Sequence, residues 1–69
     1  MTPDEFLRRL RRFARLRELD LVEESGEGSH RKIRLGSRRT VVPMHKRDLP
    51  TCTWRAILKQ LELTPEDLA

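Results

Sequence analysis

The chemically most suggestive group in this sequence is a histidine at the start of a basic strand. His30 follows the glycine-rich segment 26–29 (Gly-Glu-Gly-Ser) and alternates with Lys32 and Arg34. Alternate residues of a strand project from the same face, so these three side chains are expected to lie together. An imidazole exchanges protons near neutral pH, and Lys and Arg bind phosphate. The spacing therefore predicts acid–base chemistry on a phosphate-containing polyanion.

RNA suits such a site because it carries its own nucleophile. Its 2′-hydroxyl can attack the adjacent phosphorus once a base removes the proton, and nearby cations stabilise the charge that develops. We therefore predict His30 as the main acid–base residue, with Lys32 and Arg34 as phosphate contacts. Gly28 and Ser29 are expected to shape the approach to His30. The alternative is that His30 is an ordinary exposed strand residue.

A second histidine is a further candidate for proton transfer. His45 lies in a segment bounded by Pro43 and Pro50, and Lys46 beside it could contact phosphate. The alternative for His45 is a solvated loop residue. Ser29 and His30 are adjacent, so a strand would point them to opposite faces and disfavour a hydroxyl–imidazole pair. Because the acidic residues are scattered, we expect no carboxylate site for two metal ions. No cofactor and no metal are predicted.

The positive charge of the chain is concentrated around these histidines. Residues 26–47 contain seven Lys or Arg and one Glu, a net charge of +6 with neutral histidines. Residues 1–25 balance six Arg against six acidic residues. Concentrated positive charge is typical of nucleic-acid binders, although a solvated basic hairpin that aids solubility would look the same.

Length and composition indicate a small domain. The 69 residues support one domain, 1–69, with a small core beneath a coat that is 38% charged. One cysteine, Cys52, excludes an internal disulfide, and zinc-finger Cys/His spacing is absent. No apolar run approaches the roughly 20 residues of a membrane span. We therefore expect a cytoplasmic protein without a membrane partner.

The order of elements predicts an α+β fold. Thr2, Pro3 and Glu5 match a capping box that opens a helix, which fades near Arg17. Three strands are expected at residues 19–24, 30–35 and 38–42, with a Gly36-Ser37 hairpin turn. A second helix begins near Thr51 or Thr53, and residues 64–67 open a short final turn. The prediction is α-β-β-β-α, a three-stranded antiparallel sheet with both helices on one face.

Three short motifs resemble the HicA family of toxin ribonucleases. They are Gly28-Ser29-His30, residues 42–45 (Val-Pro-Met-His) and residues 57–61 (Ile-Leu-Lys-Gln-Leu), and the resemblance covers nearly the whole chain. It implies a fold similar to double-stranded-RNA-binding domains and metal-independent cleavage of messenger RNA. It also implies His30 as the catalytic residue and a HicB-type antitoxin that covers the active site. Alone, the chain is expected to be a monomer, and with the antitoxin a hetero-oligomer.

The chain departs from this family pattern at one place. Members often have Gly-Phe or Gly-Trp after the first helix, where this chain has residues 18–21, Glu-Leu-Asp-Leu. The departure suggests a different connection into the first strand and a changed antitoxin contact.

Two other functions remain open from the residues. A non-catalytic binder of double-stranded RNA would use the same basic face without needing His30. A DNA-binding regulator is suggested by the arginines of residues 8–17, but a short-turn helix pair is missing.

Overall fold

The predicted order of helices and strands is confirmed. The structure, a computed structural model, describes residues 1–26, 28–44 and 47–69. The chain forms, in order, α1 (Pro3–Leu16), β1 (Leu21–Ser25), β2 (His30–Leu35), β3 (Arg38–Pro43), α2 (Thr51–Gln60) and a final 3₁₀ helix (Pro65–Leu68). The fold is thus a small α+β domain with an open sheet, as the sequence predicts.

The three strands form one antiparallel sheet with β2 in the centre. Ile33 of β2 lies opposite Glu23 of β1 and Thr40 of β3, which defines the register on both sides. Gly36, with φ +62°, lies in the two-residue turn that joins Leu35 to its partner Arg38. This turn is the predicted one, and left-handed backbone is where glycine has no steric cost.

One face of the sheet is covered by both helices and the other is open. Ile33, Leu35 and Val42 point inward and are at most 4% exposed. They pack in a single core with Phe6 and Leu10 of α1, together with the α2 residues Ile57 and Leu58 and with Leu49, Leu61 and Leu68. The helical spacing of the apolar residues in α1 and α2 explains why each helix buries one stripe against the sheet. Side chains that alternate with the inward ones in β2 therefore face solvent.

The start of α1 differs in one detail from the prediction. The Thr2 hydroxyl accepts a hydrogen bond from the Glu5 N–H at 3.1 Å, as an N-cap should. The Glu5 carboxylate, however, contacts Arg8 at 3.4 Å and Arg9 at 3.5 Å, so only half of the expected capping box is formed. The complete box lies in the final 3₁₀ helix, where Thr64 and Asp67 satisfy each other.

The first strand begins two residues later than predicted because α1 ends in a capped turn. The Leu19 N–H donates to the Ala14 carbonyl at 2.8 Å, which assigns Leu19 to the helix end. Glu18 has φ +54° in the left-handed region, and Glu62 after α2 repeats this with φ +57°. After α2, the Leu63 N–H donates to the Leu58 carbonyl at 2.9 Å. Both helices thus end in a conformation that favours glycine, with a glutamate in its place.

Replacing Glu18 with glycine is expected to stabilise the fold. The left-handed conformation costs a residue with a Cβ roughly 1–2 kcal/mol, while glycine adds entropy to the unfolded chain, so we expect a gain of about 1 kcal/mol. Urea unfolding followed by circular dichroism measures the free energy of unfolding. The matched control is Glu24→Gly in β1, where glycine should cost roughly 0.5–1 kcal/mol. A Glu18→Gly protein less stable than wild type would contradict the strain at this position.

Candidate nucleic-acid interface

Hydrogen bonds of the main chain hold the start of β2 in place, where His30 is exposed. His30 is the first residue of β2 and lies opposite Pro43 of β3. The Gly26 N–H donates to the His30 carbonyl at 2.9 Å, and the Met44 N–H donates to the Ser29 carbonyl at 2.7 Å. The backbone around His30 is therefore bonded on both sides, independently of its imidazole.

Two glycines permit the tight approach of the preceding loop. Gly28 has φ +60°, a conformation that glycine adopts without strain. A Cβ added to Gly26 would lie 2.9 Å from the His30 carbonyl oxygen, closer than packed atoms tolerate. Gly28 and Ser29 are exposed and directly precede His30 in the chain. Their assigned role in RNA approach stays a prediction.

The structure brings His30, Lys32 and Arg34 to one exposed face of β2. Arg31, Ile33 and Leu35 alternate with them and point toward the helices. With a rise of about 3.3 Å per residue, the side chains from His30 to Arg34 extend over roughly 13 Å of strand. Their alignment is what a polyanion lying along the strand would need, and their chemical roles remain predictions.

Neighbouring strands add residues to this face that sequence reasoning missed. Arg39 of β3 lies opposite Arg34, and Val41 lies opposite Lys32 and is 46% exposed. We call the five residues His30, Lys32, Arg34, Arg39 and Val41 the outer face. Alternation along β3 could have indicated that Arg39 and Val41 share a face, but pairing them with β2 requires the register.

The outer face is shallow, and acidic groups lie beside its basic residues. An open depression of about 750 Å³ is lined by Lys32, Arg34, Arg39 and Val41 and, from β1, by Val22 and Glu24. Glu24 lies opposite Lys32, and Asp20 forms an ion pair with Arg34 at 3.6 Å. A shallow surface of this kind can hold a backbone of phosphates but offers little to distinguish one base from another.

Acidic residues from other parts of the chain neutralise part of the basic segment. Arg31 contacts Glu23 at 3.4 Å, and Arg38 pairs with Glu62. The Arg38 guanidinium lowers the pKa of the Glu62 carboxyl through a hydrogen bond. Lys32 and Arg39 have no carboxylate within ion-pair distance among residues 1–26, 28–44 and 47–69, so they are the cations of the outer face most available to phosphate.

A bidentate ion pair ties α1 to the sheet beneath the outer face. Arg11 donates to the two carboxylate oxygens of Glu23 at 2.7 and 2.8 Å. These hydrogen bonds lower the pKa of the Glu23 carboxyl, and the charge of Arg31 acts in the same direction. Glu23 is thus occupied on the inner side of the sheet and does not compete for ligands on the outer face.

Several predicted groups lie elsewhere or outside the described residues. His45 and Lys46 fall outside the described ranges, so their predicted roles stay predictions.

Within the described ranges, no three His, Cys, Asp or Glu side chains are grouped closely enough to hold a metal ion. Trp54 packs against the core and has the Arg55 guanidinium 5.7 Å from its ring centre. No helix in the described parts of the chain has the length and apolar character to cross a membrane.

Comparison with known proteins identifies one family. The family described as HicA toxin of bacterial toxin-antitoxin matches residues 13–63, about three quarters of the chain. The matched segment contains the end of α1, the whole sheet and α2. A search of curated proteins found no match.

Proposed function

Because the chain belongs to the HicA family of bacterial toxin–antitoxin toxins, we propose that it is an endoribonuclease that cleaves messenger RNA. The observation that carries the proposal is the exposed alignment of His30 with Lys32 and Arg34 along β2. A proton-transfer group and phosphate-binding cations then meet the same stretch of RNA. Family membership by itself supports the assignment of the chain as a toxin that has an antitoxin partner. The nuclease chemistry is our proposal.

The proposed reaction starts at the ribose next to the scissile phosphate. His30, in its neutral form, takes the proton of the 2′-hydroxyl, and the 2′-oxygen forms a bond to phosphorus. The bond between phosphorus and the 5′-oxygen of the next nucleotide breaks, which leaves a 2′,3′-cyclic phosphate. Lys32 and Arg34 bind the non-bridging oxygens, whose negative charge increases in the transition state.

The departing 5′-oxygen must gain a proton for the reaction to balance. His45, carried by the segment between β3 and α2, is the candidate donor, and Lys46 is the candidate for an added phosphate contact. No cofactor or metal enters this scheme, since the 2′-hydroxyl is the nucleophile.

The proposed partners follow from the open outer face. Messenger RNA lies along β2, and contacts are mainly to the sugar–phosphate backbone, so we expect weak sequence preference and strong salt dependence. A HicB-type antitoxin is proposed to cover the same face and thereby block the RNA. On this proposal the free toxin is a monomer that acts on cytoplasmic messages, and the inhibited form is a hetero-oligomer.

A substrate that lacks the attacking hydroxyl tests the mechanism. The purified chain is expected to cut an RNA oligonucleotide but not the same sequence with 2′-deoxyribose throughout, in buffer containing EDTA. Product ends are identified by mass spectrometry, which distinguishes a 2′,3′-cyclic phosphate from a simple monophosphate. Filter binding of both oligonucleotides is the control, because loss of cleavage must not reflect loss of binding. Cleavage of the deoxy substrate at a similar rate would contradict attack by the 2′-hydroxyl.

The second candidate function is a non-catalytic binder of double-stranded RNA. It is favoured by one observation, that the depression lined by Lys32, Arg34 and Arg39 is open and shallow. Such a protein would bind duplex RNA without cutting it, would tolerate His30→Ala and would lose affinity with Lys32→Ala. Gel shifts and cleavage assays on the same duplex separate the two functions.

A further inference from the structure

A second cationic surface lies on α1, away from the outer face. Arg8, Arg11, Arg12 and Arg15 are all exposed and occupy about 100° of the helix circumference, given about 100° per residue. We call these four residues the arginine surface. Because α1 buries its apolar stripe against the inner side of the sheet, the arginine surface points away from His30. Three of the four residues precede the segment that the family match covers.

The arginine surface is not evident from the sequence, because the positive and negative charges of residues 1–25 balance. Residues 1–25 contain equal numbers of arginine and acidic residues, which suggested no excess. In the fold, however, Asp20 pairs with Arg34 on the outer face. Glu23 binds Arg11 and also Arg31 of β2. Two of the six acidic residues of this segment, Asp20 and Glu23, therefore bind arginines of β2.

Two arginines of the surface are left without acidic partners. Arg12 and Arg15 form no ion pair with a carboxylate anywhere in the described ranges, whereas Arg8 has Glu5 at 3.4 Å. Glu66 and Asp67 border the neighbouring depression beside Arg12, yet neither reaches ion-pair distance. The unpaired positive charge of the surface therefore lies on Arg12 and Arg15, both of which are exposed.

The chemistry of the surface fits phosphate better than a protein partner. Every cation on it is arginine, whose planar fork of donors matches phosphate oxygens. Leu68 borders the depression that these arginines line, but it is only 4% exposed, whereas stable protein interfaces need apolar or aromatic anchors that a partner can reach. Leu16, 68% exposed, lies at its edge, in a depression whose other large apolar residues, Phe13 and Leu68, are buried.

We propose that the arginine surface binds the phosphate backbone of RNA at a point distant from the cleavage site. Arg8 and Arg15 are separated by about 10 Å along the helix axis, at 1.5 Å per residue. In a strand stacked as in a duplex, at about 3.4 Å per nucleotide, that distance corresponds to roughly three phosphates. The proposal rests on the proposed function in taking RNA as the polyanion, but it requires binding and no catalysis.

Because of the size of the domain, binding to the arginine surface is expected to depend on the length of the RNA. The shortest dimension of the fold is 18 Å, so an RNA that touches both surfaces must extend around the domain. An RNA strand stacked as in a duplex, at about 3.4 Å per nucleotide, needs on the order of 10 nucleotides for this path. A short RNA held at the outer face cannot reach Arg12 and Arg15, whereas a long one can.

The test compares short and long RNA with two matched pairs of substitutions. In a His30→Ala background, fluorescence anisotropy measures binding of RNAs of about 5 and about 20 nucleotides. The double variant Arg12→Gln/Arg15→Gln is expected to weaken binding of the longer RNA about 10- to 30-fold near 0.1 M salt and to reduce the salt slope by about 1.4. Binding of the shorter RNA should stay within about twofold. Glutamine is a good helix former, so circular dichroism should show unchanged helix content.

The control removes the same charge from the other helix. Arg55→Gln/Lys59→Gln alters two exposed residues of α2 and is expected to change binding less than about threefold. If both double variants lost the same affinity for the longer RNA, overall charge would explain the effect and the proposal would be overturned. It would also be overturned if Arg12→Gln/Arg15→Gln left long-RNA binding intact but weakened capture by a co-expressed antitoxin, since the surface would then serve a protein. If wild type fails to cleave RNA while the length-dependent loss is observed, the nuclease proposal fails and this one stands.

Discussion

A chain with alanine at His30 is expected to lose toxicity and RNA cleavage while it keeps its fold. Removing a positioned general base typically costs about 10²–10⁴-fold in rate. The imidazole is exposed at the start of β2, and the bonds that fix this strand involve the carbonyl oxygens of Ser29 and His30. Alanine leaves those carbonyls in place, so the loss should be chemical and not structural.

Induced expression measures this effect in cells. Growth arrest and the integrity of messenger RNA are followed after induction of wild type, His30→Ala and the matched control Lys59→Ala, which alters an exposed residue of α2. We expect arrest and RNA fragmentation from wild type and Lys59→Ala alone. Binding of RNA by purified His30→Ala should remain within a few-fold of wild type, because Lys32 and Arg34 are unchanged. Equal toxicity and equal cleavage from wild type and His30→Ala would overturn the assignment of His30.

Replacing Phe6 with alanine is expected to remove a large share of the stability of the fold. Phe6 has 0% exposure and lies in the core between α1 and the rest of the domain. Truncating a buried phenylalanine costs about 3–5 kcal/mol through lost burial and the cavity left behind. At roughly 0.05–0.15 kcal/mol per residue, the total stability of a chain of this length is only about 3–10 kcal/mol. The substitution therefore removes a large share of the free energy of unfolding.

Circular dichroism and urea denaturation measure the loss for Phe6→Ala. The control is Leu16→Ala, in the same helix but 68% exposed, which should change stability by less than about 0.5 kcal/mol. Similar stabilities for the two variants would show that α1 does not carry the core. Because Phe6→Ala removes structure, toxicity should fall with it, whereas His30→Ala removes toxicity from a folded protein.

Most of the local structure was predictable from the sequence because its causes lie within a few residues. The cap at Thr2, the apolar stripe of α1 and the turn at Gly36 each depend on neighbouring residues, and the fold contains all three. The alternation of β2 likewise placed His30 with Lys32 and Arg34 before any partner strand was known. The start of β1 was predicted two residues early, because Leu19 closes the end of α1 through a bond to Ala14.

The charges around the site depend on contacts between distant segments. Counting along the chain assigned all excess positive charge to residues 26–47, yet Arg34 and Arg38 there have acidic partners from outside that segment, Asp20 and Glu62. The same exchange leaves Arg12 and Arg15 of α1 without partners in the described parts of the chain. A charge count ignores which groups the fold brings within 4 Å, and Coulomb energy depends on that distance.

The sequence alone therefore determined the elements, the inward and outward sides of β2 and the identity of the candidate base. Only the tertiary structure decided that Arg39 and Val41 join the outer face, since cross-strand neighbours depend on the register. It also decided that α1 carries a cationic surface of its own. The physical reason is the same in both cases: periodicity places a side chain on a side of its own element, while pairing and packing place it among the others.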